Sequence, residues 1–249
     1  LRDSHANNAI PTCHSTSART PIFMRAVIYT SPGEVALAEV PLPVIVDSTD
    51  AIVKVTLAGI CGTDLHVVRG DFSGIEPGTV VGHEFVGEVV ELGSAVRRFK
   101  PGDKVMSSDF TACGHCGWCD RGDHWHCHER AFFGTGTSFG PALAGAQAEF
   151  VRVPHADTTL GLLPPGCSQE AGLLMGDNLA TGWVAVERAR GADLHEFTDL
   201  IASRLVEANF PLLDRFTDAR KGFDAITGII TRRVYRVAIP GPARQSAFD

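Results

Sequence analysis

The residues with the clearest chemical potential are cysteines in the stretch CGHCGWCDRGDHWHC, residues 113–127, which we call the cysteine lobe. The spacing C-x2-C-x2-C-x7-C relates Cys113, Cys116, Cys119 and Cys127. Four thiolates brought together in this way can close a tetrahedron around Zn²⁺ and leave no open coordination position. We therefore predict a structural zinc site here in preference to four reduced thiols exposed to solvent, which would be reactive.

Histidines are also frequent in and beside the cysteine lobe. They could replace cysteine as ligands, but four cysteines already fill the coordination shell of a tetrahedral ion. We expect these histidines on the lobe surface: His115, His124, His126 and His128.

Two segments further upstream carry metal-binding residue types without a diagnostic spacing. AGICGTDLH, residues 58–66, contains Cys61, Thr63, Asp64 and His66, and VVGHEFVGEVVELG, residues 80–93, contains His83 and Glu84. A catalytic zinc site needs three protein ligands and keeps the fourth position for water or substrate. Spacing alone leaves metal binding and an ordinary core or surface role about equally open.

The elements that must position these residues are mainly strands. Short segments rich in Val, Ile and Phe, separated by Gly and Pro, predict a compact, mostly antiparallel barrel or sandwich. The strand segments are RAVIYT, DAIVKVTLAGI, HEFVGEVVELG, DKVMSS and AEFVRV. Residues 168–190 are predicted to be helical, with Ser168 as N-cap and Glu170 in the first turn. A second helix after Gly191 and a last strand, RVYRVAI, are expected to follow.

Composition excludes several classes of function. The 249 residues contain 22 Lys and Arg against 29 Asp and Glu, so there is no basic stripe for nucleic acid. No apolar run approaches the roughly 18 residues of a membrane helix. Residues 1–23 are polar and are expected to be a disordered or leader extension. Without a secretory signal we expect a cytoplasmic protein, in which seven cysteines favour metal binding over disulfides.

Several motifs in register give the chain a family resemblance. CGTDLH, GHEFVGEVVELGSAV, PGDKV and the cysteine lobe follow one another in this order. In this it resembles the zinc-dependent alcohol dehydrogenases of the medium-chain dehydrogenase/reductase superfamily. The resemblance implies a mainly β, GroES-like catalytic domain over residues 24–190, built as a partly open barrel with a zinc lobe and two Zn²⁺ sites.

The resemblance also implies roles for individual residues. Cys61 and His83 match ligands of the catalytic zinc, and Glu84 matches the acidic residue beside that metal. The third ligand is then Asp177, where classical members have cysteine; the alternative is that Asp177 only caps a nearby helix. Thr63 and His66 match the proton relay of the family, and without the motif they would be a turn residue and a surface histidine. Asp64 is expected to brace its loop.

The hydride acceptor implied by the resemblance is NAD or NADP. The family binds it in a doubly wound domain, which should begin with a strand, a G-x-G-x-x-G turn and a helix. No such unit follows Arg190, after which 59 residues remain. We therefore expect residues 191–249 to be a short helical or αβ remnant of that domain, shortened by deletion, processing or gene-model error.

The glycine-rich loop FFGTGTSFG, residues 132–140, is the stretch most similar to a nucleotide-binding loop. A strand ahead and a helix behind are not predicted for it, and that is the context such a loop needs. We expect its glycines to serve turns and close backbone approach near the substrate cleft.

The sequence leaves two functions open. The first is an alcohol or polyol dehydrogenase that oxidises an alcohol to an aldehyde or ketone with hydride transfer to NAD(P). The second is a catalytically silent zinc-binding domain or incomplete gene product that lacks a hydride acceptor. The expected partners are a small alcohol, polyol or aldehyde, and further copies of the chain or full-length paralogues. A zinc-ribbon nucleic-acid binder is disfavoured by the acidic charge.

Overall fold

The structure is a computed structural model that describes residues 22–182. Within this range most of the regular structure is β. The strands run over Phe23–Ser31 (β1), Glu34–Pro41 (β2), Ala51–Ala58 (β3), Phe85–Leu92 (β4), Lys104–Ser107 (β5), Phe150–Val153 (β6) and Leu160–Leu162 (β7). The α-helices run over Gly62–Arg69 (α1), Ala156–Thr159 (α2) and Gln169–Gly176 (α3).

All strand pairs are antiparallel, as expected from the sequence. Five strands form a sheet in the order β6-β3-β4-β5-β7, and β1 pairs with β2 in a second sheet. The two sheets meet where β1 exchanges backbone hydrogen bonds with neighbouring loops. The amide of Val27 donates to Gln147 O at 2.8 Å, and the amide of Val81 donates to Val27 O at 3.1 Å. This arrangement is a partly open barrel.

The barrel core is formed by apolar side chains of the central strands. Val53 of β3 and Val89 of β4 are fully buried, and the rings of Phe85 and Phe133 pack edge to face with centroids 5.3 Å apart. β-branched and aromatic side chains suit a pleated surface covered on its inner face. The core therefore fixes the ends of β3 and β4, and the candidate metal ligands Cys61 and His83 lie next to these ends.

Each of the five predicted strand segments overlaps an observed strand. Two strands were missing from the prediction: β2, whose side chains are mostly exposed, and β7, which is only three residues long. Helix α1 was also missed, since the segment CGTDLH was interpreted as a loop. Ser168 is the N-cap of α3 as predicted, and its hydroxyl accepts the amide of Ala171 at 3.1 Å.

Parts of the sequence interpretation lie outside the described residues. These are the extension over most of residues 1–23, Trp183, and the second helix and last strand of the proposed remnant at 191–249. The helix predicted over 168–190 is interrupted: α3 ends at Gly176, and helical structure resumes over 178–182. Among residues 22–182, no helix has the length and apolar character needed to cross a membrane.

Candidate metal centres

The cysteine lobe brings its four thiols together. One ligand atom from each cysteine lies within 4.8 Å of the others. Short 3₁₀ turns over Cys119–Arg121 and His124–His126 fold the chain back, so that Cys127 joins the first three sulfurs. Cys113, Cys119 and Cys127 are buried, which agrees with a closed site more than with solvent-facing thiols.

The sulfur positions fit a tetrahedral zinc ion. Four Zn–S bonds of about 2.3 Å separate neighbouring sulfurs by about 3.8 Å. Cys116 Sγ lies 3.6 Å from Cys119 Sγ, and Cys113 Sγ lies 3.9 Å from Cys119 Sγ. No pair is joined by a disulfide, because all cysteines in the described range are free. The cysteine lobe therefore offers the donor set and spacing of a structural zinc site.

The protonation of these thiols depends on their surroundings. Burial raises the pKa of Cys119 to about 12 and also raises the pKa of Cys113. The backbone N–H of Cys119 instead lowers the pKa of Cys116 to about 6. Because a dication binds thiolates, it would release the protons of Cys113 and Cys119 when it enters.

The histidines of the cysteine lobe are exposed, as predicted. A further group of metal-binding residue types, Cys113, His115 and Glu129, shares Cys113 with the four-cysteine set. It is therefore not an independent site. The backbone carbonyl of Cys113 lies 2.9 Å from His115 Nδ1, so this imidazole has a hydrogen-bond partner of its own.

A second group of ligands is assembled from three distant segments. Cys61 is the N-cap of α1, His83 precedes β4, and Asp177 follows the last residue of α3. One donor atom from each of these residues lies within 4.8 Å of the others. We call Cys61, His83 and Asp177 the mixed-ligand site, and sequence spacing alone could not have joined them.

The imidazole of His83 shows that this site fits a metal. His83 is 1% exposed, and neither ring nitrogen completes a hydrogen bond within the described part of the chain. Its Nε2 lies 3.5 Å from Asp177 Oδ2, close to the roughly 3.4 Å that two tetrahedral N and O ligands of zinc would have. A shared cation would satisfy both groups, whereas an empty site leaves a buried ring nitrogen unpaired.

The other ring nitrogen of His83 faces Asp64. His83 Nδ1 lies 3.2 Å from Asp64 Oδ1, within ion-pair distance although not in hydrogen-bond geometry. Asp64 Oδ2 accepts the amide of Cys61 at 2.9 Å, which confirms that Asp64 braces its loop. The contact between Asp64 and His83 was not predicted from the sequence. A carboxylate behind a metal-binding histidine orients the ring and makes it a stronger ligand.

Burial and neighbouring charged groups shift the pKa values at the mixed-ligand site in opposite directions. Burial alone would lower the pKa of His83, but its contacts with Asp177 and Asp64 raise the pKa well above the usual value. Burial would likewise raise the pKa of Asp177, yet the contact with His83 lowers it. Asp177 is thus ionised and able to act as an anionic ligand.

Glu84 lies beside the mixed-ligand site and is almost completely buried. Burial, followed by the negative charge of Asp177, raises the pKa of Glu84 to about 7. The side-chain amide of Asn178 donates to Glu84 Oε1. Asn178 was not singled out from the sequence, and its position next to Asp177 is the signal that could have identified it.

Thr63 and His66 both lie on α1, one turn apart, so they share a face of the helix. The Thr63 hydroxyl oxygen lies 3.8 Å from Cys61 Sγ, at the edge of the mixed-ligand site. The His66 ring is about half exposed, and its Nδ1 lies 2.8 Å from Asp71 Oδ2. The helix therefore leads from the mixed-ligand site toward solvent.

Asp177 reaches this site because α3 approaches β5 closely. A Cβ atom at Gly176 would collide with the backbone oxygen of Ser107, so a side chain there would push the end of α3 away. The capping alternative also has support, since Asp177 O accepts the amide of Thr181 at 2.8 Å and its Oδ1 accepts the Thr181 hydroxyl at 3.1 Å. The other carboxylate oxygen remains directed at His83.

The loop FFGTGTSFG has the turn role expected from the sequence. Gly134 has a φ of 68°, and a Cβ atom there would come within 2.7 Å of the Gly82 amide nitrogen. The loop thus packs directly on the backbone that carries His83. Within the described residues the next regular element after it is the strand β6 and not a helix, so it lacks the frame of a dinucleotide loop.

Comparison with known proteins agrees with this geometry. The family description "Alcohol dehydrogenase GroES-like domain" matches residues 47–164. Zinc-type alcohol dehydrogenase B of Aspergillus flavus is 45% identical over 169 residues, which are 67% of this chain and 37% of that protein. A medium chain reductase/dehydrogenase of Acremonium sp. is 42% identical over 170 residues, 68% of this chain and 56% of that protein.

Comparison with solved structures also finds an alcohol dehydrogenase that matches about two thirds of this chain. The alcohol dehydrogenase TADH from Thermus sp. ATN1 aligns with a TM-score of 0.65 and 40% identity, over 67% of this chain and 48% of that one. The chain thus spans about half or less of the length of these relatives.

Proposed function

Because the chain carries the GroES-like domain of the zinc-dependent alcohol dehydrogenases, we propose that it supplies the zinc-binding catalytic domain of an oxidoreductase that converts an alcohol to an aldehyde or ketone. The observation that supports this proposal most directly is the pair of unbonded nitrogens on buried His83 between Asp177 and Asp64. We assign one zinc ion to Cys61, His83 and Asp177, and a second to Cys113, Cys116, Cys119 and Cys127.

The ion at the mixed-ligand site would serve as a Lewis acid toward the alcohol oxygen. The protein's own residues then handle the proton. Thr63, at the edge of the site, would accept the hydroxyl proton on its Oγ1 and release its own hydroxyl proton toward His66, one turn further along α1. His66 Nδ1 lies 2.8 Å from Asp71 Oδ2, and the exposure of the ring allows the proton to leave for solvent. Buried Glu84, held by Asn178, keeps an acidic group beside the metal.

The acceptor implied by the family resemblance is NAD or NADP, with a small alcohol, polyol or aldehyde as substrate. We place the catalytic domain at residues 24–190 and the remnant of a cofactor domain at 191–249. No strand, glycine turn and helix suited to a dinucleotide occurs within residues 22–182. A second candidate function, a zinc-binding domain that is catalytically silent alone and associates with itself or with full-length paralogues, rests on the sequence, in which no G-x-G-x-x-G turn follows Arg190.

The proposed location is the cytoplasm. The six cysteines of the described range are all free of disulfides. Thiols persist in this form in a reducing compartment.

Metal analysis and nucleotide titration test these proposals together. We expect two zinc ions per purified chain and one in the Cys61→Ser variant. A single zinc in the unmodified chain would disprove the two-site assignment. Saturable binding of NADH or NADPH, followed by fluorescence, would support the dehydrogenase. Its absence, with both zinc ions present, would leave the silent zinc domain, whose self-association light scattering would then detect.

A further inference from the structure

A continuous series of aromatic rings begins at the mixed-ligand site and extends into the cysteine lobe. The His83 ring lies 5.2 Å from the ring of Phe132, centroid to centroid. Phe132 in turn contacts three further rings. We call the four residues the aromatic wall: Phe110, Trp125, Phe132 and Phe139.

The cysteine lobe contributes one member of this wall. Trp125 lies between Cys119 and Cys127 in the sequence, and its indole packs edge to face on Phe110 with centroids 5.1 Å apart and planes at 87°. It makes the same kind of contact with Phe132 at 6.1 Å and 84°. A lobe whose four cysteines suggest a purely structural role is therefore linked through Phe132 to the ring of His83.

Arg130 holds Trp125 in this position. Its guanidinium lies 4.2 Å from the centroid of the indole, a cation–π contact. The same group donates to Trp125 O and, through Nε, to Phe139 O at 3.0 Å. One side chain thus ties the cysteine lobe to the loop at residues 132–140, and its charge is committed to two carbonyls and a ring.

The chemistry of the aromatic wall indicates what it would contact. Trp125 is 39% exposed, so part of this apolar surface remains available. Aromatic rings attract a further ring in edge-to-face or offset geometry by about 0.5–1.5 kcal/mol beyond the area buried. A polyol placed against these rings would instead lose hydrogen bonds to water without replacement.

We propose that Trp125 is a specificity-determining residue, and that the aromatic wall selects alcohols bearing an aromatic group over polyols. This inference rests on the proposed function, because it takes the mixed-ligand site as the place where the hydroxyl binds. It assigns to the cysteine lobe a direct part in substrate recognition in addition to its metal.

A matched control exists within the same lobe. Trp118 also carries an arginine on its ring, with Arg121 at 4.6 Å, and its other ring contact is with His126 at 5.0 Å. Within the described range its ring does not contact a ring of the aromatic wall. Replacing Trp118 therefore removes a tryptophan–arginine pair from the lobe without touching the wall.

The experiment compares benzyl alcohol with glycerol as probes of the zinc-loaded full chain, using calorimetry or ligand-detected NMR. We expect the unmodified chain to bind benzyl alcohol more tightly than glycerol. The W125A and W125L variants should weaken benzyl alcohol binding about fivefold to tenfold, the loss expected for one aromatic contact, and leave glycerol unchanged. W125F and W118A should bind both probes as the unmodified chain does.

Several results would overturn the proposal. They are equal or tighter binding of glycerol, unchanged benzyl alcohol binding in W125A and W125L, or an equal loss in W118A. Zinc content separates this failure from that of the proposed function. If two zinc ions are bound and replacing Trp125 does not change benzyl alcohol binding, only the aromatic specificity is refuted. If the unmodified chain lacks zinc at the mixed-ligand site, the proposed function itself is refuted. W125L and W125F keep apolar volume and decide the matter if W125A fails to fold.

Discussion

The cysteine lobe and the mixed-ligand site contain similar ligand chemistry but are built in opposite ways. All four ligands of the lobe lie within residues 113–127, where short turns suffice to bring them together. The mixed-ligand site takes Cys61, His83 and Asp177 from three separate elements of the barrel. We expect the lobe to need a metal in order to stay folded, whereas the barrel should hold the mixed-ligand site whether or not a metal is present.

This difference follows from what surrounds each set of ligands. The buried residues around the ligands of the lobe are Ala112 and the cysteines themselves, and Trp125 adds contacts with the aromatic wall, which together is little apolar surface to fold a segment of this length. The ligands of the mixed site stand instead at the ends of elements anchored by buried side chains such as Phe85 and Leu173. We therefore expect a metal to stabilise the fold of the first region and to take part in chemistry in the second.

The largest expected effect is a contrast between two cysteine substitutions. Cys116→Ser should remove the lobe zinc and unfold the lobe, because a structural zinc supplies the folding free energy of such a segment. Cys61→Ser should remove the other zinc and leave the fold intact, since serine is also a good N-cap for α1. Limited proteolysis and thermal unfolding measure the difference, with new cleavage expected near the cysteine lobe only in the first variant.

Cys167→Ser is the control for cysteine replacement. Cys167 belongs to neither metal group, and its thiol lies 3.5 Å from Ser168 O. We expect two zinc ions and an unchanged proteolysis pattern in this variant. Equal protection of the lobe in Cys116→Ser and Cys61→Ser would show that the proposed contrast between the two regions is wrong.

The same contrast explains how far the sequence alone could predict. The cysteine lobe was predicted as a metal site because its ligands are close neighbours in the chain, and local spacing then encodes geometry. Five of the strands were predicted because alternating or continuous apolar runs report burial directly. Both kinds of prediction depend only on residues near one another in sequence.

Contacts between residues that are far apart in the sequence could not be predicted from local spacing. The approach of Asp64 to His83 depends on α1, a helix of eight residues that buries Asp64 and exposes Leu65, so it shows no clear apolar period. The aromatic wall joins Phe110, Trp125 and Phe139, which no periodicity relates. Resemblance to a family gave Cys61, His83 and Asp177 as a ligand set, and the structure places them together, but the zinc they would hold remains a prediction.

A smaller effect is expected from pH at the cysteine lobe. The raised pKa values of Cys113 and Cys119 keep both thiols protonated at neutral pH, so zinc must displace at least two protons. Affinity should then rise by at least about 100-fold per pH unit near neutrality and fall as the solution is acidified. Chelator competition on the Cys61→Ser chain, which lacks the other site, measures this slope. A slope near zero would mean that the thiols are already ionised without metal.

The smallest predicted effect isolates the charge of Asp64 behind His83. Asp64→Asn keeps an oxygen that can accept the Cys61 amide, so the loop brace survives while the negative charge at 3.2 Å from His83 Nδ1 is lost. Removing such a partner weakens zinc binding by about 10-fold to 100-fold.

Asp71→Asn is the matched control, because Asp71 also faces a histidine, His66, but one outside the mixed-ligand site. Chelator competition at constant pH should find weakened zinc binding at the mixed-ligand site only in Asp64→Asn, with the cysteine lobe unaffected. Equal affinities in the two variants would mean that the barrel alone orients His83, and the mixed-ligand site would then depend on its fold even more completely than the comparison with the lobe implies.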